Sequence, residues 1–237
     1  MKILILTTQT THHTKFISDI VAIYTDCKAV METRSLTAPF DTFHDYLLQQ
    51  DAYEKELWFD NKDIAISDIV ETISVNNIND VQSLSFIKNY NPDLVVVFGT
   101  GKILPEIINL AKGRIINLHG GDPEQYRGLD THLWAIYHGE FDQLITCLHE
   151  VAPELDTGNI IERKSIDLFK SMELYQLRSQ NTKCCVEMVL NAIDRFDKQG
   201  KIIATEQTQK GRYYSFMPAV LKELCVKKFR RYTDDLS

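Results

Sequence analysis

No glycine precedes Gly99, and seven of the ten glycines lie between Gly99 and Gly139. The first apolar run, "KILILT", therefore leads into "TTQTTHHTK", a strand-to-helix turn without glycine. A dinucleotide fingerprint and an ATP phosphate loop both need glycine at that turn, so that the backbone can approach phosphate oxygens. Both are excluded there. Cysteine is sparse as well. Cys27, Cys147, Cys184, Cys185 and Cys225 are odd in number and form no C-x-x-C, which argues against a disulfide framework and a zinc knuckle. The histidines are scattered apart from His12-His13, and no H-E-x-x-H occurs, so no metal is expected. No stretch approaches the roughly 18 apolar residues of a membrane span. "MKILILTTQTTHH" holds too short an apolar run for a secretion signal. A net charge of -7 disfavours nucleic-acid partners. "KKFRRY", with Lys227, Lys228, Arg230 and Arg231, reads as a solvated helix end. These absences together point to a reducing, cytoplasmic setting.

What is present suits a folded chain. The sequence has 237 residues, 44% hydrophobic and 25% charged, enough for one large domain or a core with a small extension. "KILILT", "AVMET", "TISV", "DLVVVFG" and "RIINLH" read as strands. They alternate with helical patterns in "TKFISDIVAIY", "DTFHDYLLQQDAYEKELWF", "DVQSLSFIKNY" and "ILPEIINLA". Near-continuous apolar strands between helices imply an open α/β, mostly parallel sheet with helices on both faces. After residue 140 the rhythm changes. "LITCLHEV" and "NIIERKSI" read as strands, and "MELYQLRSQNTKCCVEMVLNAIDRFDKQ" as one long helix. "KIIATEQ" and "GRYYSF" suggest a hairpin, with a last helix after Pro218. The expected division is a catalytic domain over 1–168 and an α/β-hairpin extension over 169–237.

In open sheets ligands bind beyond the carboxyl ends of strands. The glycine-bearing turns "FGTGKILP" and "LHGGDP" stand at two such ends. In "RIINLH", Ile115, Asn117 and His119 share one face. Asn117 and His119 then lie roughly 7 Å apart along the strand and can address one small group. The amide offers a neutral donor, and the imidazole exchanges protons near neutral pH. Together they suit the oxyanion of a tetrahedral intermediate. An Asn there can equally satisfy turn backbone, and a His can simply pack, so the pair alone leaves both roles open. Asp156, in "APELDTGNII", could orient the histidine or accept a proton, or merely build a turn.

Asn117-x-His119, the downstream Leu155-Asp156-Thr157-Gly158 and the earlier Gly101-Lys102-Ile103-Leu104-Pro105 resemble the formyltransferases that use N10-formyltetrahydrofolate. The resemblance covers roughly residues 70 to 168. It implies a Rossmann-like core and transfer of a formyl group to an amine. Asn117, His119 and Asp156 match the family's catalytic trio, with Asp156 holding a charged His119 and assisting proton removal. Phe98, Gly99, Thr100, Gly101, Lys102, Ile103 and Leu104 match the loop along which the folate lies.

The acceptor is read from two departures. Relatives acting on tRNA or purine-pathway substrates usually follow Asn-x-His with a Ser-Leu-Leu-Pro type segment, whereas this chain has "GGDPEQYRG". The methionyl-tRNA enzymes also carry a sizeable further C-terminal domain, for which 237 residues leave no room. "HGGDPEQYRGLDTHLWAIYHGE" with the later "GRYYSFMPAVLKE" looks most like the sugar N-formyltransferases. That likeness implies a nucleotide-linked amino sugar, such as dTDP-4-amino-4,6-dideoxyglucose or its 3-amino analogue, made for cell-surface polysaccharide (O-antigen, lipopolysaccharide). Glu124, Tyr126 and Arg127 are the candidate acceptor contacts, through a sugar hydroxyl, a base or sugar face, and a phosphate. Loop packing, a salt bridge and a solvated carboxylate are the plain alternatives. His12 and His13 at the first strand end read as turn residues or ligand contacts, Trp134 and Tyr137 as core. His149 either lines the site or packs. An exposed hairpin is too small to stand alone and invites a second copy, so a homodimer is expected. Other readings are a formyltransferase acting on methionyl-tRNA or a small metabolite amine, and a non-catalytic folate or nucleotide-sugar binder.

Overall fold

The computed structural model describes residues 1–236. Parallel strands β1 (Ile3–Thr7), β2 (Cys27–Glu32), β3 (Thr72–Val75), β4 (Leu94–Phe98) and β5 (Ile115–His119) alternate with helices α1 (Thr11–Val21), α2 (Tyr46–Phe59), α3 (Val81–Tyr90) and α4 (Pro105–Leu110). After β5 come β6 (Tyr126–Gly128), α5 (Thr131–His138), β7 (Ile145–Glu150), β8 (Ile160–Ser165), α6 (Leu177–Gln199), β9 (Arg212–Tyr214) and α7 (Ala219–Asp234).

The main sheet runs β3-β2-β1-β4-β5-β7-β8, with β7 antiparallel to both neighbours. Both faces are buried, as the apolar runs require. Ile3 and Ile5 of β1 with Val96 of β4 join Phe16, Ile17 and Ile20 of α1 and Met188, Val189 and Ile193 of α6. Leu4 and Leu6 with Val95 and Val97 face Ile87 of α3 and Ile107 of α4. Residues beyond 168 thus complete the core over the first strands rather than forming a separate layer. Helices α2, α5 and α7 enclose a third apolar cluster around Leu133, Met217 and Phe229. Winding reverses between β1 and β4, which opens a crevice beyond their carboxyl ends.

Three expectations change. "KIIATEQ" and "GRYYSF" do not form a hairpin. The first contributes one bridge, Thr205 to Ile160, and the second forms β9, which pairs parallel to β6. Gly128 permits this approach: its φ is +93°, and a Cβ there would lie 2.1 Å from the Tyr214 carbonyl oxygen. The strand that suggested a dimerisation edge is therefore paired within its own chain. Helix α2 begins at Tyr46, because Asp41 turns back to accept from the Phe43 amide while its carbonyl takes the Ala219 amide. Helix α6 begins at Leu177 after a short 3-10 turn at Leu174–Gln176, where the Gln176 side chain accepts from the Glu173 amide.

Candidate active site

Asn117 and His119 leave β5 on the same face, as strand alternation demands. Beside them on β7, paired across Asn117, stands His149. The Nδ1–H of His149 donates to the Glu150 carbonyl at 2.7 Å, so in the neutral ring Nε2 is an acceptor. It receives Asn117 Nδ2–H at 3.1 Å, which fixes the Asn117 amide and leaves its second N–H free of any protein partner among the described residues. Burial, with a smaller push from His119, lowers the pKa of His149 to about 4, so the ring stays neutral near pH 7 and keeps its acceptor.

His119 is held from the other end. Its Nε2–H donates to the Tyr126 carbonyl at 2.7 Å, so Nδ1 is the nitrogen left for exchange. That nitrogen faces Asp156 Oδ1 at 3.7 Å, and Oδ1 lies 3.8 Å from His149 Nε2. The other carboxylate oxygen accepts the Gly128 amide at 2.9 Å. Asp156 sits at φ +54°, the left-handed region that Asp tolerates in tight turns. The three side chains named from the sequence converge, and His149 makes a fourth.

These groups line a cleft of about 220 Å³. Val97, Ile103, Leu118, Val151 and Leu155 supply apolar walls, and Gly99, Thr100, Gly101 and Lys102 line the same cleft. That loop is anchored by buried Glu32, whose carboxylate accepts the Gly101 amide at 2.7 Å and the Ile78 amide at 3.0 Å. Asn79 pins its far end through the Lys102 carbonyl and the Leu104 amide, each at 2.9 Å. Gly99 has φ +87°, and the ring of His13 fills the space a Cβ would need. A second cleft of about 330 Å³ is lined by His12, Gln50, Asp130, His132, Arg178 and Asn181 among others. His119, Gly128 and Leu129 line both clefts.

Other residues named from the sequence lie elsewhere. Phe98 points into the core, its ring edge-on to His13 and Phe16, and Leu104 is exposed at the start of α4. Neither lines the cleft. Glu124, Tyr126 and Arg127 enter neither cleft. Glu124 accepts from the amide and hydroxyl of Thr208 and from Arg163 at 2.6 Å, contacts that lower its carboxyl pKa, the Thr208 amide most. The Tyr126 ring stacks on Tyr214 at 5.3 Å and donates its hydroxyl to Glu140. Only its carbonyl serves the site. Arg127 is buried, its Nη2 donating to the Leu155 carbonyl and Glu154. His12 borders the second cleft, while His13 packs beneath Gly99. Trp134 donates Nε1–H to the Ser215 carbonyl at 2.9 Å and packs beside Tyr137. Tyr213, 55% exposed, lines the first cleft although it lies far along the chain in β9. His132 borders the second, and burial lowers its pKa to about 4.

A model of the formyl transferase family matches residues 2–193. The chain belongs to the formyl transferase family. The methionyl-tRNA formyltransferase of Caldanaerobacter subterraneus is 29% identical over 165 residues, 69% of this chain and 52% of that one. This family member spans about half or less of the length of the methionyl-tRNA formyltransferases it matches. In fold it is similar to a sugar N-formyltransferase from Shewanella sp., at 14% identity and a TM-score of 0.64, covering 96% of this chain and 87% of that one. It is also similar to the formyltransferase PseJ from Anoxybacillus kamchatkensis, solved with UDP-4,6-dideoxy-4-formamido-L-AltNAc and tetrahydrofolate. There the identity is 19% and the TM-score 0.51, over 91% of this chain and 86% of the other. No helix among the described residues is long and apolar enough to cross a membrane.

Proposed function

We propose that this protein moves a formyl group from N10-formyltetrahydrofolate to the amine of a nucleoside-diphosphate-linked amino-deoxy sugar. The observation that carries the reading is the place of His119 between two clefts, with Asn117 and Asp156 beside it. The first cleft, with apolar walls and a glycine-bearing loop, suits a flat heterocycle with polar edges. The second, edged by hydrogen-bonding side chains, suits a hydroxylated acceptor. Family membership, and the fold shared with a sugar N-formyltransferase and with PseJ, support the same chemistry.

The reaction makes a bond from the acceptor nitrogen to the formyl carbon and breaks the bond from that carbon to folate N10. The acceptor nitrogen loses one proton and N10 gains one. The free N–H of Asn117 and a proton on Nδ1 of His119 would meet the oxygen on which charge develops. Asp156 stands where it can receive the acceptor's proton or lend one through His119. The folate loop in this reading is Gly99, Thr100, Gly101, Lys102 and Ile103.

The decisive assay supplies N10-formyltetrahydrofolate with a panel of dTDP-, UDP- and GDP-linked 3-amino and 4-amino sugars. A product heavier by one formyl group supports the reading, and its absence across the panel removes it. The sequence match to methionyl-tRNA formyltransferases favours a second reading, so charged initiator tRNA belongs in the panel. The net charge of -7 weighs against it. The proposal includes a homodimer, supported by Phe43, Val220 and Leu224, which leave apolar surface exposed around the start of α7. A solution mass of one chain would remove that part.

A further inference from the structure

Gln207 lies outside every helix and strand, between α6 and β9. Its Nε2 nonetheless donates twice into the turn that carries Asp156, to the Asp156 carbonyl at 3.0 Å and the Gly158 carbonyl at 2.7 Å. Both partners are acceptors, so the orientation of the amide is fixed. Its Oε1 is buried and meets no partner among the described residues.

The turn needs external support. Asp156 is left-handed, a backbone state that is less favourable for a residue other than glycine. Its internal tie is one bond, from the Thr157 hydroxyl to the Glu154 carbonyl at 3.0 Å. At Gly158 the turn presses against β7 so closely that a Cβ would sit 1.7 Å from the Glu150 carbonyl oxygen. The segment bearing Gln207 is itself laced down on both sides. Thr205 exchanges backbone bonds with Ile160, and Lys210 reaches Glu154 at 2.6 Å. The Gly211 amide donates to the Pro123 carbonyl at 3.0 Å.

We propose that Gln207 is a positioning residue of the formyl-transfer site: it grips the backbone at Asp156 and again two residues on, at Gly158, and so holds that carboxylate against His119 and the Gly128 amide. This rests on the role given to Asp156 under the proposed function. Gln207 touches no reacting atom. The extension beyond residue 168 thereby takes part in the site through a hydrogen-bonding side chain, not only through packing.

Gln207→Met keeps the length of the side chain and removes both donors, so the fold is expected to survive. The variant should lose kcat on the order of tenfold, against the roughly hundredfold that a displacement of about 1 Å can cost. The KM for N10-formyltetrahydrofolate should stay within about twofold. In an Asp156→Asn background the same change should cost nothing further, because its effect runs through the carboxylate. Wild-type kcat in Gln207→Met, or an equal loss in both backgrounds, overturns the proposal. A second readout needs no turnover. The Gly128 amide, which donates to Asp156 Oδ2, should exchange about tenfold faster in Gln207→Met, and unchanged exchange also overturns it. If the wild-type protein formylates nothing, the proposed function fails alone and the exchange measurement still decides for Gln207.

Discussion

His149 Nε2 accepts a hydrogen bond from Asn117 Nδ2 at 3.1 Å across the β5–β7 pair, and that bond decides which way the Asn117 amide faces. Replacing the ring by an apolar side chain of similar bulk, His149→Leu, frees the amide to turn its oxygen toward the cleft. Loss of one oxyanion donor costs about 10²–10³ in kcat. Misorientation for part of the time should cost less, about tenfold to a hundredfold, with folate affinity little changed. Steady-state kinetics beside calorimetric folate binding checks this.

Gly99 admits no side chain. At φ +87° an added Cβ would lie 2.3 Å from the His13 ring, which is wedged between the loop and Phe98. Gly99→Ala should destabilise the protein by about 2 kcal/mol or more, from backbone strain and overpacking together. A lowered urea midpoint at constant m-value is the expected result.

Acid should unfold this protein early. Burial lowers the pKa of His13 to about 3 and of His132 and His149 to about 4. An unfolded chain takes up these protons near pH 6.5, and the folded one resists until its own lower values. Stability from these rings is complete above pH 6.5 and is lost as pH falls to about 4 for His132 and His149 and to about 3 for His13. Each proton taken up on unfolding contributes about 1.4 kcal/mol per pH unit. Glu54, raised by its burial, acts in the opposite sense as a single group. Urea midpoints at pH 7, 6 and 5 should fall in order.

Arg178 is the partner of fully buried Glu54, through two bonds of 2.8 and 2.7 Å. Removing the guanidinium strands a carboxylate without water. Arg178→Met should cost about 3 to 5 kcal/mol, whereas the paired change Arg178→Met with Glu54→Leu should recover most of it. Thermal unfolding of the single and double variants separates the two.

Much of this organisation can be read along the chain, and the rest has a physical reason for being hidden. Apolar runs such as "LVVVF" announce strands covered on both faces, and the delayed glycines mark the turns that border the cleft. Asn117 and His119 share a face because strand alternation is local. The β6–β9 pairing is not local: Tyr126 meets Arg212 in parallel, and nothing in either three-residue strand names its partner. Local alternation in "GRYYSF" suggested a hairpin for the same reason. Tyr126 and Arg127 carry side chains suited to a ligand, yet the short strand turns one onto Tyr214 and buries the other against the Asp156 loop. His149 becomes legible as a site residue only once β7 is known to lie antiparallel beside β5, opposite Asn117. Gln207 carries no sequence signal, because its partners are backbone carbonyls.

The most direct measurement compares wild type, Asn117→Ala and His119→Ala for formyl transfer from N10-formyltetrahydrofolate and, in parallel, for folate binding by calorimetry. Each variant is expected to bind the folate within a few fold of wild type while kcat falls by about 10² or more. Turnover near the wild-type rate in both variants would contradict the assignment of β5 as the strand that carries the chemistry.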